Sequence, residues 1–371
     1  MTHRERLLRT LRFQEVDRVP DYEFGAWRQT IDRWHGEGLP QEHTDRLRAI
    51  AEYFKTDELE TGRPPGLIDI KMEIFPEFEE KVLEEKGDHI IFQDVQGAIC
   101  EMMKPELGAS IPKYLRFPIE TRQDWEKLRD ERLNPDTPGR IPDNLEELCK
   151  ATLDSDLPSS VNCVSLYGRT RNRMGVENLS LAVYDDPSWV EEIMEHLTQL
   201  KLTLLEKIAG KAKIDIAWWW EDMCFRSGPL LSPKHFAKWM VPRYKRITDF
   251  LRRECGCEFN ILDCDGNIHE LVPLWLEGGI NVMFPLEVPH TDACKISDEF
   301  AQSVALRGYF DKRALIAGTE AIDREFERIE PLLKRGGFIP HTDHLVPPDV
   351  SWENYCYYRE KKCEFIGKTP D

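Results

Sequence analysis

The sequence predicts an α/β protein built as a single (β/α)₈ barrel of the TIM type, with insertions in its N-terminal part. From residue 158 to the C-terminus, short runs rich in β-formers alternate with amphipathic helical runs, which is typical of a parallel sheet. The alternation favours a barrel over an open sheet, which stays the alternative. No internal repeat or Pro-, Gly- or Ser-rich linker divides the chain. We therefore expect one domain over residues 1–371, irregular over 1–157 and regular over 158–371.

The predicted strands are runs of β-branched and aromatic residues bounded by turn residues. In chain order they read RVPDYEFG, SSVNCVSLYG, IDIAWWW, CEFNIL, INVMFPLEV, VALRGYF and GFIPH. The first of these lies in the irregular N-terminal part, and the others follow one another through the regular part. A further run, HIIFQDVQGAICEMM, predicts a β-hairpin among the N-terminal insertions.

The predicted helices fill the intervals between these strands. In chain order they read DDPSWVEEIMEHLTQLKLTLLEKI, SPKHFAKWMVPRYKRITDFLRREC, IHELVPLWLEGG, SDEFAQS, EAIDREFERIEPLLKRGG and SWENYCYYREKKCEFI. Ser232 followed by Pro233 is a typical helix start, and the glycines that end IHELVPLWLEGG are a typical helix stop. The resulting order of strand, helix and strand is the order that a barrel of this type requires.

The composition excludes several classes of partner. The chain has 371 residues, a mass of 43.4 kDa and a formal net charge of -18, which argues against binding to nucleic acid phosphates or anionic membranes. No apolar stretch approaches the roughly 20 residues of a membrane helix, and MTHRERLLRTLRFQ lacks the apolar core of a signal peptide. We therefore expect a cytoplasmic protein. The ten cysteines lack zinc-ribbon spacing and are interpreted as reduced, small hydrophobic residues.

Polar residues gather where the predicted strands end, which is the position of the active site in barrels of this type. The stretch NILDCDGN, for example, follows an apolar strand with two carboxylates, Asp263 and Asp265, and a glycine. The polar residues at the other strand ends are Glu23, Arg169, Arg171, Glu221, Asp222, Glu287, Asp311, Lys312, His341, Asp343 and His344. Carboxylates and imidazoles that converge can bind a divalent metal or serve as general acid and base.

Structural roles stay open for each of these residues. Asp-Gly is ordinary turn chemistry, and an aspartate at such a point can cap the next helix. A single strand-end histidine is more often hydrogen-bonded within the fold than a ligand. Three adjacent tryptophans, Trp218, Trp219 and Trp220, alternate between the faces of a strand, so that one can wall a pocket for a flat ligand. The sequence contains no dinucleotide fingerprint, phosphate loop, nucleophile elbow or HExxH motif.

Three segments resemble the uroporphyrinogen decarboxylase superfamily: RERLLRTLRFQEVDRVP, GPLLSPKHFAKWMVPRYKRI and GGFIPHTDHLVPPDVSWENYCYY. The resemblance covers nearly the whole chain and implies a (β/α)₈ barrel. It also implies one of two activities, namely decarboxylation of uroporphyrinogen without a cofactor, or zinc-dependent methyl transfer to or from a corrinoid on a partner protein. The decarboxylases carry an arginine-rich signature of the type Met-Arg-Gln-Ala-Gly-Arg, whereas the matching region here reads YEFGAWRQTIDRW. This difference favours the methyltransferase branch.

The methyltransferases of that branch that act on thiols resemble this chain around NILDCDGN. Their pattern is His-x-Cys-Gly-Asn, with a further Cys near the last strand. In this sequence Asp263 stands at the position of the His, Asp265 at that of the first Cys, and Asp343 with His344 in the region of the last Cys. Oxygen and nitrogen donors thus replace soft thiolates, and such a set can still hold zinc. The replacement favours an oxygen or nitrogen methyl donor over a thiol.

The resemblance therefore implies the methyltransferase component of a corrinoid-dependent system, which moves a methyl group from a methoxylated small molecule to a partner corrinoid protein. The predicted zinc ligands are Asp263, Asp265 and one of His341 and His344. The predicted catalytic residues are Glu221 and Asp265, and the predicted substrate contacts are Arg169, Trp220, Glu287 and Lys312. The alternatives are a cofactor-independent decarboxylase of uroporphyrinogen or another carboxylated substrate, and a non-catalytic corrinoid- or tetrapyrrole-binding module.

Overall fold

A parallel sheet of seven strands forms the centre of the fold in this computed structural model, which describes residues 1–57, 66–104 and 112–369. The strands of the described residues are β1 (Gly66–Ile68), β2 (Lys81–Lys86), β3 (His89–Gln93), β4 (Ile99–Met103), β5 (Lys113–Arg116), β6 (Ser159–Val164), β7 (Ile216–Trp220), β8 (Cys224–Phe225), β9 (Gly228–Pro229), β10 (Phe259–Asp263), β11 (Val282–Phe284), β12 (Ala305–Phe310) and β13 (Phe338–Thr342). The central sheet has the order β1-β6-β7-β10-β11-β12-β13, and each neighbouring pair is parallel. This order confirms the predicted α/β fold of the TIM-barrel type.

Helices follow the strands of this sheet, as the alternating sequence pattern predicts. They are α1 (His3–Leu11), α2 (Arg28–His35), α3 (Ala49–Tyr53), α4 (Arg122–Arg132), α5 (Leu145–Leu153), α6 (Gly168–Met174), α7 (Val176–Asp185), α8 (Pro187–Leu205), α9 (Pro233–Cys255), α10 (Val272–Glu277), α11 (Ala293–Phe300), α12 (Lys312–Ala317), α13 (Thr319–Arg335) and α14 (Trp352–Ile366). The predicted start of α9 is confirmed, since the Ser232 hydroxyl accepts a hydrogen bond from the backbone N–H of His235 and Pro233 opens the helix. No described helix is long and apolar enough to cross a membrane.

Side chains of the central sheet alternate between two hydrophobic clusters, because neighbours along a strand point to opposite faces. Trp219 and Leu262 pack outward under the helices. The inner cluster comprises Leu7, Leu11, Tyr22, Ile216, Trp218, Phe259, Ile261, Val282, Phe284, Ala305 and Ile339. Arg307 of β12 lies 5.4 Å from the ring of Trp218, which is three strands away in the sheet order. Three strand spacings in a flat sheet amount to about 14 Å, so the sheet is curved around this inner cluster.

The segment RVPDYEFG, predicted as the first barrel strand, is not a regular strand. Among residues 1–57, 66–104 and 112–369, its end is linked to the chain that follows β13 by an isolated bridge, Ala26 to Val346, and not by a strand ladder. Its side chains nevertheless alternate as a barrel strand would. Tyr22 belongs to the inner cluster, and the ring of Phe24 lies 4.6 Å from that of Phe284. The segment therefore lines the barrel interior without forming a full hydrogen-bond ladder.

A buried ion cluster holds this segment against α14. Asp21 accepts from Arg359 at 2.7 Å and Glu23 accepts from Lys362 at 2.6 Å, and all four side chains are almost completely buried. Lys368 adds a contact of 2.8 Å to Asp21. Burial opposes the charge on Asp21, but Arg359 and Lys362 outweigh it and hold the pKa of Asp21 well below its ordinary value. The cluster thus fixes the N-terminal segment by charge pairs where a strand ladder is missing.

The N-terminal insertions contain a separate antiparallel sheet with the order β2-β3-β4-β5. Strands β3 and β4 pair from His89 with Met103 to Gln93 with Ile99, which confirms the predicted hairpin. Strands β2 and β5 extend it on either side and are exposed along their whole length. Although Tyr114 on β5 is exposed, partial desolvation of its hydroxyl raises its pKa, and the nearby charges of Arg171 and Arg169 oppose the rise. This sheet therefore lies near the C-terminal end of β6.

Substitution of Arg359 tests the ion cluster. We expect Arg359→Met to lower the free energy of unfolding by about 3 kcal/mol or more, because it leaves buried carboxylates short of a partner. Urea unfolding followed by circular dichroism measures the change. Arg12→Met is the matched control, since Arg12 pairs with Glu258 on the surface and such exposed pairs contribute about 0–1 kcal/mol. Equal stabilities of the two variants would contradict the assigned role of the cluster.

Candidate active site at the barrel mouth

A cavity of about 600 Å³ opens where the central strands end, and aromatic side chains form much of its wall. We call it the aromatic cavity, and its principal lining residues are Phe24, Trp218, Trp220, Phe284, Asn162, Arg169 and Asp263. Of the predicted site residues, it brings together Arg169, Trp220 and Asp263. A pocket of this volume and lining is suited to a small flat molecule, with few polar groups to orient it.

Arg169 lies over the face of Trp220, with its guanidinium carbon 4.5 Å from the ring centroid. Burial, and then the charge of Arg171, lower the pKa of Arg169. Arg171 itself is paired, since its Nη2 lies 2.8 Å from a carboxylate oxygen of Asp222. Cation–π contact and a cavity wall therefore hold the Arg169 guanidinium in place.

A second cavity, of about 610 Å³, lies beside the first and is lined by Arg171, Asp222, Arg226, Asp265, Glu287 and His290. Asp263 and Asp265 therefore line different cavities, although one residue separates them in the chain. This division follows from the end of β10, where the strand leaves the sheet at Asp263 and the chain turns at Gly266 with a positive φ of 78°.

Asp265 is paired with His344 next to the aromatic cavity. The Nε2 of His344 lies 3.6 Å from Oδ2 of Asp265, while Oδ1 of Asp265 is buried without a hydrogen-bond partner. The imidazole packs 5.5 Å from the ring of Phe24 and stacks 6.0 Å from that of Trp27. Burial opposes a charge on His344, but contact with Asp265 outweighs it and raises the pKa of His344 above its ordinary value. The pair thus places beside an aromatic pocket a histidine whose protonated form is favoured by a neighbouring carboxylate.

Glu287 and Lys312, predicted as substrate contacts, are engaged within the protein. Lys312 Nζ lies 3.6 Å from Glu287 and 3.4 Å from Asp343, and Glu287 also accepts from the backbone N–H of Gly266 at 3.1 Å. These contacts tie the loops after β10, β11 and β12 together. Glu287 and Lys312 therefore stabilise the loops next to the Asp265–His344 pair.

His341, predicted as a possible metal ligand, lies fully buried below the aromatic cavity. Its Nδ1 lies 2.8 Å from the carbonyl oxygen of Thr342, and its Nε2 faces Nε of Arg307 at 3.3 Å. Burial and the charge of Arg307 lower the pKa of His341 well below its ordinary value, so the ring is neutral. A neutral imidazole that donates to Thr342 accepts from Arg307, which leaves no free nitrogen for a metal. Both ring nitrogens of His341 are thus engaged within the protein in this structure, and its role as a metal ligand stays a prediction.

Glu221, predicted as a catalytic acid or ligand, is fully buried behind the cavity wall. Its carboxylate accepts hydrogen bonds from the backbone N–H groups of Leu166, Tyr167 and Gly168 at 2.8–2.9 Å and from the Tyr244 hydroxyl at 2.6 Å. Burial raises its pKa, and these donors oppose the rise. Glu221 therefore anchors the loop that carries Arg169, and its catalytic role stays a prediction.

The predicted zinc ligands do not form one site. Asp263 lies on the aromatic cavity, Asp265 and His344 form a pair beside it, and His341 is occupied by Arg307. Within residues 1–57, 66–104 and 112–369, no three His, Cys, Asp or Glu side chains are placed to hold a metal ion together. The four-residue set therefore does not fit zinc as arranged, and zinc binding stays a prediction.

Sequence reasoning missed Arg307, Phe24 and Trp27. Arg307 lies among the rings of Tyr22, Trp218 and Phe284 at 4.8–5.4 Å in the barrel interior. A signal for it was present, because an arginine in the middle of the apolar strand VALRGYF is unusual. Phe24 and Trp27 carried no such signal, since aromatic residues are common in any core.

Two kinds of similarity to known proteins agree with this architecture. A family model described as uroporphyrinogen decarboxylase (URO-D) matches residues 102–360. A solved methyltransferase from Methanosarcina mazei aligns with 98% of this chain and 99% of its own, at 15% sequence identity and a TM-score of 0.59. A B12-independent methionine synthase from Shewanella sp. W3-18-1, in complex with selenomethionine, aligns with 94% of this chain and 98% of its own, at 10% identity and a TM-score of 0.45. At such identities the first alignment supports the fold alone.

Replacement of Glu221 by glutamine separates an anchor from a catalytic acid. We expect Glu221→Gln to lower the free energy of unfolding by about 2–3 kcal/mol, because an amide nitrogen cannot accept the backbone hydrogen bonds that a carboxylate oxygen accepts. Urea unfolding measures the change, and the exposed Glu258→Gln is the control. A variant with unaltered stability would show that these hydrogen bonds do not anchor the loop.

Replacement of Asp265 by asparagine tests the charge state of His344. We expect Asp265→Asn to lower the pKa of His344 toward or below 6.5, its ordinary value, because burial then acts without the carboxylate. NMR titration of the ring protons measures the pKa, and Asp292→Asn, at the exposed N-cap of α11, is the control. Because folding raises the pKa of His344, the pair stabilises the wild type most below pH 6.5, and the gain is lost as pH rises through the raised pKa. An unchanged pKa in the variant would exclude Asp265 as the cause.

Proposed function

Because the chain belongs to the uroporphyrinogen decarboxylase family, we propose that it is an enzyme of the methyltransferase type. In this proposal it removes a methyl group from a methoxylated small molecule, and a corrinoid carried by a partner protein accepts that group. The Asp265–His344 pair beside the aromatic cavity is the observation that carries the proposal. A methyltransferase shares the fold, which is compatible with this activity.

Demethylation of an ether requires the oxygen to leave with a negative charge, so a proton donor at that oxygen lowers the barrier. His344 suits this role because its contact with Asp265 outweighs burial and raises its pKa above the ordinary value, which favours the protonated ring. In the proposed step the C–O bond breaks, the ether oxygen keeps the electron pair, and the His344 imidazolium transfers a proton to that oxygen. A reduced corrinoid, when bound, supplies the nucleophile that takes the methyl group.

The remaining residues act by position in this proposal. Trp218, Trp220 and Phe24 bind the flat part of the substrate and exclude water from the reacting oxygen. Asp265 orients the imidazole and stabilises its charge, and Lys312 with Glu287 holds the surrounding loops. No step is assigned to zinc. Elemental analysis of protein purified without chelator tests the separate prediction that zinc is bound.

Decarboxylation of a small carboxylated substrate is the second candidate. The guanidinium of Arg169 on the wall of the aromatic cavity favours it, because a cation there can bind a carboxylate. The segment YEFGAWRQTIDRW, which replaces the arginine-rich signature of the decarboxylases, argues against uroporphyrinogen itself as the substrate. Release of CO₂ in the absence of any methyl acceptor would favour this candidate over methyl transfer.

Turnover of methoxylated compounds with cob(I)alamin as a soluble acceptor tests the leading proposal. We expect the wild type to yield the demethylated product, measured by liquid chromatography, and His344→Asn to lose at least about 100-fold in rate, as is typical when a general acid is removed. The rate should fall as pH rises through the raised pKa of His344, and in Asp265→Asn this fall should move to lower pH.

The control for this experiment is His89→Asn, because His89 is exposed on the N-terminal antiparallel sheet. It should keep the wild-type rate and pH profile. A His344→Asn variant that turns over as fast as the wild type would contradict the assigned proton donor. A wild type that releases CO₂ and no demethylated product would contradict methyl transfer.

A further inference from the structure

The guanidinium of Arg169 is a cation on the wall of the aromatic cavity that forms no ion pair with any described carboxylate. Its Nε is buried without a hydrogen-bond partner. Asp263 and Glu77 lie near enough to act on its charge without pairing with it. A partly buried charge without an ion partner is costly, and a cation of this kind in a cleft is a candidate ligand contact.

The neighbouring cations show that the fold does pair its arginines in this region. Arg171, two residues along the same helix, forms an ion pair of 2.8 Å with Asp222. Arg173, a further two residues along, is paired with Glu73. Arg169 differs from both because its described support is the face of Trp220 and the cavity wall.

The side chains around Arg169 indicate the shape of an anion that could pair with its guanidinium. Trp220 lies under the guanidinium at 4.5 Å, and the rings of Trp218 and Phe284 meet edge to face at 5.9 Å in the same cavity. Flat aromatic walls next to a planar guanidinium favour a ligand that is itself flat and ends in a planar anion. A carboxylate matches the guanidinium in geometry, because parallel N–H groups can meet its two oxygens.

We propose that the aromatic cavity binds a small aromatic carboxylate and that Arg169 is the receptor for its carboxylate group. The exposed residues Arg46 and Arg48 line the same cavity next to Asp45, and Arg48 is paired with Glu52 at 3.3 Å, so Arg169 is the cation on which the proposal rests. This inference rests on the proposed function only in taking the bound acid as the methyl donor. Binding of the acid itself is independent of methyl transfer.

Binding of matched acids and amides tests the receptor. We expect wild-type protein to bind 4-methoxybenzoate at least about tenfold more tightly than 4-methoxybenzamide, measured by isothermal titration calorimetry and quenching of tryptophan fluorescence. Benzoate, which has no methyl group to give, should bind through the same contact. Cyclohexanecarboxylate should bind more weakly than benzoate because it cannot stack between the rings.

Three variants separate receptor from scaffold. Arg169→Met should abolish the preference for acid over amide, and Arg169→Lys should keep part of it, because an ammonium attracts the anion without a matching pair of N–H groups. Arg226→Met, which removes an exposed arginine from the second cavity, should bind both ligands as the wild type does. Without ligand, Arg169→Met should unfold at a temperature no lower than the wild type, since it removes a partly buried cation that pairs with no described carboxylate.

The results divide cleanly between this inference and the proposed function. An Arg169→Met variant that still prefers the acid, or that is clearly destabilised without ligand, would overturn the receptor assignment. Acid binding through Arg169 without any demethylated product would support the receptor and contradict methyl transfer from these acids. The wild type and Arg169→Met could instead demethylate neutral methoxybenzenes at equal rates, with the wild type showing no preference for the acid. That result would support methyl transfer and overturn the assignment of Arg169 as the carboxylate receptor.

Discussion

The site depends on a buried ion cluster behind the segment that carries Phe24. Asp21 and Glu23 point outward to Arg359 and Lys362 of α14, so the alternation of the segment turns Tyr22 and Phe24 inward. Phe24 then forms part of the cavity wall and packs on His344. Charge pairs on the outer face of an irregular segment thus determine which rings reach the reacting group on its inner face.

The regular part of the chain could be predicted from the sequence because its strands are buried on both faces. Runs such as IDIAWWW and INVMFPLEV are largely apolar, as expected for strands with helices on one side and a barrel interior on the other. For RVPDYEFG, the sequence predicts a position lining the barrel, but it does not predict the irregular backbone that the structure shows. Its alternation is visible in the sequence, whereas the ion partners that replace the ladder lie more than 330 residues away.

The candidate site could be predicted only in part, because residue type at a strand end does not fix what a side chain binds. Arg169 and Trp220 lie on the aromatic cavity, and Asp265 and His344 meet. Glu221 also follows the end of a strand, but its carboxylate accepts hydrogen bonds from backbone N–H groups of a neighbouring loop. No local pattern distinguishes a carboxylate that anchors backbone from one that faces a substrate, since the decisive partners come from another strand.

In the loop after β6, the residues that hold the backbone in place are not the residue that we propose binds the ligand. Glu221 and Tyr244 hold the backbone of residues 166–168, while the side chain of Arg169 immediately after them takes no part in that hydrogen bonding. Mutation at this position can therefore explore new chemistry without first compromising the scaffold. Substitution of Arg169 is therefore expected to change which ligand charge the cavity accepts while the loop keeps its anchor. Laboratory evolution toward other ligands can begin at this residue.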